Sequence, residues 1–206
     1  MISNFNEKLD KMFPDARCEL NYNKDYELLI ATVLSAQCTD KRVNEVTSVL
    51  FNKYDLKGLA NAKKSDIENI IRSCGSYTKK SAYIIDIAKS LISECDGKVP
   101  NDRTYLEKLP GVGRKTANVV LSNVYDIPAI AVDTHVERVS KRLKLAYKND
   151  DVLTVEKKLM KKIPKDKWSK SHHQMVLFGR YICKAVKPEC SNCLFINDCT
   201  SKDKRI

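Results

Sequence analysis

The sequence predicts an all-α fold, and two observations carry that prediction. Apolar residues recur at helical spacing in nearly every segment, and no segment sustains the apolar–polar alternation of a half-buried strand. Connections are short, with no internal repeat, low-complexity tract or long linker. At 206 residues the chain suffices for one large domain or two small ones.

Along the chain, residues 4–13 place Phe5, Leu9, Met12 and Phe13 at helical spacing, and Pro14 stops the run. Residues 25–37, with Tyr26, Leu28, Leu29, Ile30, Val33 and Leu34, are apolar enough for a central buried helix. Asp40 to Tyr54 follows with Val43, Val46, Val49, Leu50 and Phe51 on one side. Ser65-Asp-Ile-Glu68 reads as a capping box opening a short helix that ends near Gly75. Thr78 to Glu94 carries Tyr83, Ile84, Ile87, Leu91 and Ile92 and ends at Gly97. Further helices are predicted near 134–146, 152–162 and 168–183, punctuated by Pro128 and Pro164.

The stretch from Leu109 to His135 holds the densest chemistry. Pro110, Gly111 and Gly113 predict a tight turn whose glycines take positive φ and admit another backbone closely. Ala117, Val119, Val120, Leu121 and Val124 then mark a helix packed on a core. Such a turn aims backbone N–H groups outward at a helix N-terminus, where phosphate binds. Arg114 and Lys115 lie in the first turn of that helix, where the helix dipole disfavours cations. Taken alone, the pair reads as an exposed basic turn; otherwise a bound phosphate offsets the repulsion, or the amine has a function that gains from a depressed pKa. Asp133 opens the next helix, and its spacing alone makes it an ordinary N-cap.

The net charge of +11 is unevenly placed. Residues 1–102 hold 15 Lys and Arg against 15 Asp and Glu, whereas residues 103–206 hold 22 against 11. An excess that starts with the glycine turn points to a polyanionic partner, with nucleic acid the leading candidate. No run approaches the ~18 apolar residues of a membrane helix. The N-terminus lacks the charged-then-apolar order of a signal peptide, so a cytoplasmic or nucleoid location and no membrane partner are expected.

Eight cysteines fall into two groups. Cys18, Cys38, Cys74 and Cys95 are scattered and read as small core hydrophobes. Cys183, Cys190, Cys193 and Cys199 form a Cys-x6-Cys-x2-Cys-x5-Cys array within 17 residues. Four soft thiolates in one loop are a ligand set for zinc or a [4Fe–4S] cluster. Structural zinc sites usually pair two short Cys-x(2–4)-Cys units and only one is present, which favours iron–sulfur. The same loop carries Lys184 and Lys187, so a cluster would brace it as a basic protrusion toward DNA.

The lysine-bearing glycine turn, the aspartate of Val-Asp-Thr-His eighteen residues later, and the terminal cysteine array occur in one order and spacing. The combination resembles the endonuclease III family, the iron–sulfur branch of the helix–hairpin–helix superfamily of DNA glycosylases. The likeness runs from Leu28-Leu-Ile-Ala-Thr-Val-Leu-Ser-Ala-Gln37-Cys-Thr-Asp40 to Cys199. It implies an all-α, two-domain helix–hairpin–helix glycosylase fold. A six-helix barrel would span residues 18–127, and residues 1–17 with 128–206 would form the iron–sulfur domain, with a DNA cleft between the two.

The resemblance further implies a bifunctional DNA glycosylase and abasic-site lyase. Such an enzyme excises oxidised pyrimidines from duplex DNA and cleaves 3′ to the abasic site by β-elimination. It carries over Lys115 as nucleophile, Asp133 as catalytic carboxylate and the four cysteines as ligands of a [4Fe–4S] cluster. Gly111 and Gly113 would offer amides to phosphate, Gln37 would fill the gap left by the flipped base, and Arg114 and His135 would contact DNA. The partner implied is double-stranded DNA with damaged bases or abasic sites, bound by a monomer. Two positions depart from the family pattern. Ser76 stands where an apolar wedge usually precedes the tyrosine matching Tyr77, and Glu189 stands in the cluster loop where a basic residue is expected.

Two other readings compete. The mismatch-specific branch of the superfamily, acting on adenine or thymine, keeps the cysteine array and the aspartate. Its adenine-specific members typically lack the lysine and add a C-terminal recognition domain, whereas this chain has Lys115 and seven residues after Cys199. A non-catalytic iron–sulfur DNA-binding module would need neither Lys115 nor Asp133.

Overall fold

The computed structural model describes residues 4–205, and among them there are helices and turns but no strand. The chain divides into two compact units, residues 18–125 and residues 1–17 with 126–206. In residues 18–125 the organising element is a helix from Asp25 to Leu34 (α2), following α1 (Phe5–Met12) of the other unit. Every residue from Tyr26 to Leu34 is buried, so α2 is a core helix and not an amphipathic one. Its one buried carboxylate is satisfied locally: Glu27 Oε2 accepts from the N–H groups of Asn23 (2.7 Å) and Lys24 (3.2 Å).

Against α2 pack α3 (Asp40–Lys53), capped by Thr39, and α6 (Tyr77–Glu94), while α4 (Leu56–Asn61) lies on α6 and α5 (Lys64–Ile71) on α3 and α6. The predicted capping box at Ser65 does not form. Ile67 and Ile71, both wholly buried, set the register of α5, and the helix already begins at Lys64, so Ser65 lies inside it. Glu68 instead pairs with Lys64 at 3.5 Å. At the end of α6, Gly97 takes a φ of 75° and its N–H reaches back 2.8 Å to the Leu91 carbonyl, closing the helix in a left-handed cap. Periodicity alone passed over two short helices, α4 and α7 (Arg103–Leu106). Both open on an aspartate N-cap: Asp55 accepts from Gly58 N–H at 2.7 Å, and Asp102 from Thr104 and Tyr105 N–H. The unit closes with α8 (Arg114–Val124).

The second unit contains α1, α9 (Thr134–Arg142), α10 (Val152–Lys162) and α11 (Trp168–Leu177). Its core joins Phe5 and Leu9 of α1 to Val136, Val139, Val155, Leu159, Met175, Phe178 and Phe195. Phe195, between Cys193 and Cys199, stacks on Phe5 and Phe178 with ring centroids 5.4 and 5.3 Å away. The cysteine-rich tail is thereby packed onto the N-terminal helix, and Lys8 adds an ion pair to Asp198 at 2.5 Å.

Two predicted helices prove shorter. The one near 134–146 stops at Arg142, because Lys144 turns left-handed (φ 54°) and the Leu145 and Ala146 N–H groups fold back onto the Ser140 carbonyl. The one predicted over 168–183 is α-helical only to Leu177 and widens to a π-turn over Phe178–Ile182. No helix among the described residues is long and apolar enough to cross a membrane.

Candidate functional site

In residues 18–125 the site is built on the turn joining α7 to α8. Leu106, Leu109 and Val112 are buried and anchor the turn from below. Gly111 has a φ of 76°, and a Cβ there would lie 2.6 Å from Tyr83 Cδ2 and 3.3 Å from Val33 Cγ1. Both the backbone and the close approach to α6 and α2 therefore demand glycine. Gly113 does not share that demand. Its φ of −103° and ψ of −179° suit any residue, and a Cβ would meet nothing within 4 Å. The expectation of positive φ at both glycines is corrected to Gly111 alone.

Gly113 is the N-cap of α8, and its carbonyl accepts from Ala117 N–H at 3.0 Å. The first turn of α8 has no acidic side chain; Arg114 is exposed and Lys115 half-buried. Beyond them Thr116 to Ser122 are all buried, so α8 holds the Lys115 backbone on a packed helix. Arg103 of α7 donates to the buried Asn118 Oδ1 of α8, tying the two arms of the turn together. Cys18 lies within electrostatic reach of Lys115; burial pushes its thiol up, against which Lys115 acts in the opposite direction.

Gln37 is exposed on the loop after α2 with a φ of 57°. Sequence reading did not single out Lys80 of α6, which sits beneath that loop. Its side chain is buried, and Nζ donates to the Leu34 and Ala36 carbonyls at 2.9 and 2.6 Å. Lys80 thus caps the C-terminus of α2 with a cation, although burial lowers its pKa. The adjacent pair Lys79-Lys80 gave no signal of which lysine turns inward. Ser76 is exposed and left-handed (φ 57°) at the start of α6.

In the other unit Asp133 is the N-cap of α9. Its Oδ1 accepts from the N–H groups of His135 and Val136, both at 2.9 Å, which leaves Oδ2 outside the cap. His135 is held by Arg138, whose Nη2 lies 3.2 Å from Nδ1. The same guanidinium donates to Gly179 O at 2.6 Å and to Cys183 O at 3.1 Å. Gly179 lets α9 approach this closely, since a Cβ there would lie 2.8 Å from His135 Cβ. Arg138 therefore bolts the Asp133–His135 corner to the first cysteine. Arg142, one turn on, donates to the carbonyls of Lys184 (2.6 Å) and Ala185 (3.2 Å), lies 3.5 Å from Cys183 Sγ and pairs with Asp203 at 2.9 Å. The i, i+4 spacing of Arg138 and Arg142 behind Asp133 was the signal the sequence offered for both.

Cys183, Cys190, Cys193 and Cys199 all line one open pocket, beside Arg142, Phe178, Ile182 and Ile196. Among the described residues no three His, Cys, Asp or Glu side chains draw together as they would around a single ion. Of the lysines in this loop, Lys184 is paired with Glu189 at 2.9 Å, which partly neutralises the basic protrusion, and Lys187 is exposed with a φ of 51°.

Comparison with known proteins is specific. Residues 30–165 match the profile of the HhH-GPD superfamily of base excision DNA repair proteins. The chain is 49% identical to endonuclease III of Bacillus subtilis strain 168 over 200 residues, covering 97% of this chain and 91% of the relative. To endonuclease III of Escherichia coli K12 it is 41% identical over 192 residues, covering 93% and 90%. Among solved structures, a trapped endonuclease III–DNA covalent intermediate is 53% identical with a TM-score of 0.91, covering 94% of this chain and 92% of that one.

Proposed function

Because the chain belongs to the endonuclease III family of the HhH-GPD superfamily, we propose that Lys115 and Asp133 carry its chemistry and that its four C-terminal cysteines hold a [4Fe–4S] cluster. The protein is an all-α DNA glycosylase with abasic-site lyase activity, acting in base excision repair. A damaged base stacked in a duplex is inaccessible, so the nucleotide is flipped out at a cost of a few kcal/mol, less for a damaged pair. The Lys115 amine attacks C1′ of the sugar, the base leaves with the proton the amine gives up, and the sugar ring opens to an iminium. That iminium is the electron sink for β-elimination, which breaks the strand 3′ to the lost base.

The observation that carries this assignment is the placement of Lys115. It sits half-buried in the first turn of α8 with no acidic neighbour in that turn, directly after an N-cap whose surroundings are open. The helix dipole disfavours a cation there by about 0.3–1 kcal/mol, a cost that a catalytic amine or a bound phosphate accounts for. The Gly113 corner and the α8 N-terminus bind the DNA phosphate, with Gly111 shaping the turn beneath. Asp133 Oδ2 stabilises positive charge developing on the sugar while Oδ1 keeps the carboxylate fixed by capping α9. Arg114, His135, Gln37, Lys184 and Lys187 contact the DNA, with Lys184 weakened by Glu189.

The chemistry of the donor set fits an iron–sulfur cluster, since four cysteines line one pocket and thiolates are the ligands such a cluster takes. A cluster there would cross-link the tail and stiffen the loop 183–190. The substrates are oxidised pyrimidines in duplex DNA, and Ser76 in place of an apolar wedge sets which lesions open readily. The protein works as a monomer.

Borohydride reduction of the enzyme with an abasic duplex tests the reading. Wild type is expected to give a covalent protein–DNA species, and Lys115→Gln none while still binding DNA. Absence of the species in wild type overturns the iminium route.

A further inference from the structure

Cys38 and Cys74, read from the sequence as scattered core residues, are neighbours. Their sulfurs lie 3.6 Å apart. Cys74 is buried and Cys38 half-buried, and neither belongs to a helix. The two sit in the loops that carry the two strained surface residues of this region: Gln37 immediately precedes Cys38, and Ser76 follows Cys74 by two positions, each with a φ of 57°. The loops also touch at Gly75, whose Cβ would lie 3.5 Å from the Gln37 carbonyl. We propose that Cys38 and Cys74 are an oxidisable dithiol, and that the disulfide they form under hydrogen peroxide clamps the Gln37 and Ser76 loops together and suspends DNA processing. The functional consequence rests on the assignment of Gln37 and Ser76 to DNA contact made above.

The surroundings suit such a reaction. The Lys80 ammonium and the Arg42 guanidinium favour negative charge at Cys74, although burial and the adjacent Cys38 sulfur outweigh them. Burial pushes the Cys74 thiol up to about 11, so it stays protonated, and the more accessible Cys38 reacts first. Cys38 thiolate attacks one peroxide oxygen, the O–O bond breaks, and the departing hydroxide takes a proton to become water. Cys74 sulfur then attacks the resulting sulfenic acid, the S–O bond breaks, and the second water leaves with the Cys74 proton. Two thiols and one peroxide give one disulfide and two waters, with two electrons passing from sulfur to oxygen. A disulfide needs about 2.05 Å between sulfurs, so the two sulfurs approach by roughly 1.5 Å from their present 3.6 Å, through side-chain rotation and adjustment of two short irregular segments.

The consequence is mechanical. Gln37 and Ser76 are expected to enter the duplex at separate places around the flipped nucleotide, and a covalent bridge between their loops removes the freedom to spread. A low-molecular-weight thiol reverses the bridge by exchange.

Iron–sulfur-loaded protein is treated with stoichiometric hydrogen peroxide, digested without reduction and mapped by mass spectrometry, while lyase activity on an abasic duplex is followed before oxidation, after it and after dithiothreitol. The expected result is a linked Cys38–Cys74 peptide pair, a fall in activity of at least tenfold, and full recovery on reduction. Cys38→Ser and Cys74→Ser should keep both their activity and their visible absorption through the same treatment. Absence of the linked peptide overturns the proposal, as does a linked enzyme of undiminished activity or an equal loss in Cys38→Ser. An untreated enzyme without lyase activity would instead sink the assignment of function, leaving the cross-link result to stand by itself.

Discussion

Replacing Gly111 and Gly113 by alanine, one at a time, separates the glycine the fold requires from the one the DNA requires. At Gly111 the added carbon would sit 2.6 Å from Tyr83 Cδ2 and 3.3 Å from Val33 Cγ1, on a backbone with φ of 76°. A left-handed conformation costs a residue bearing a Cβ roughly 1–2 kcal/mol, and overpacking a filled site adds about 1–3 kcal/mol. The combined loss of about 2–5 kcal/mol is a large share of a stability of ~5–15 kcal/mol. For a chain of this length it lowers Tm by on the order of 10 °C. At Gly113 the extended backbone accepts alanine, and the new carbon meets nothing within 4 Å. Stability there is roughly unchanged: the freedom lost by the unfolded chain, about 0.4–1 kcal/mol, is offset by alanine's poorer fit at the N-cap of α8, about 0.5–1 kcal/mol. The methyl group nonetheless occupies the open corner at the α8 N-terminus where a phosphate oxygen is expected. Thermal unfolding by circular dichroism and fluorescence anisotropy on an abasic duplex read the two effects apart. Gly111→Ala should melt early, and Gly113→Ala should melt normally but bind at least fivefold more weakly. A Gly113→Ala protein with wild-type affinity, or a Gly111→Ala protein with wild-type Tm, refutes this division of roles.

Asp133→Asn preserves the N-cap, since asparagine caps as well as aspartate, so stability should hold within about 0.5 kcal/mol while single-turnover base release slows by at least tenfold; an unchanged rate would leave Asp133 a cap and nothing more. Arg138→Ala deletes the charged hydrogen bonds to Gly179 and Cys183, each worth about 1.5–3 kcal/mol net, and should both lower Tm and hasten bleaching of visible absorption by a chelator. Identical melting and bleaching curves would show that the bolt is dispensable. Burial depresses the His173 pKa from 6.5 to about 4. The unfolded chain therefore takes up a proton that the folded one refuses, and stability is lost as pH falls from 6.5 toward 4, by about 1–3 kcal/mol. His173→Gln should flatten that part of the stability–pH profile, and a profile that keeps its slope would place the loss elsewhere.

How far the sequence could be read depended on whether the signal was local. Helix positions, the glycine turn and the cysteine array were legible because periodicity, turn chemistry and spacing are properties of short segments. The helices α4 and α7 were missed because six and four residues hold too little periodicity to register, although Asp55 and Asp102 announced them as caps. Gly111 and Gly113 look alike in sequence, yet only the packing of Tyr83 and Val33 distinguishes the obligatory one. Lys80, Arg138 and Arg142 act through carbonyls that are distant in sequence, at separations of 41 to 46 residues for the main contacts. The i, i+4 spacing of Arg138 and Arg142 marks the two arginines but not the carbonyls they reach. The meeting of Cys38 with Cys74 across 36 residues is of the same kind.

The central claim is that one amine, on Lys115, forms the bond to DNA. Its most direct test is to trap the enzyme on an abasic duplex with borohydride, digest the adduct with protease and nuclease, and locate the sugar remnant by tandem mass spectrometry. The remnant is predicted on Lys115 and on no other lysine. A remnant on any other residue, with Lys115 unmodified, would contradict the account.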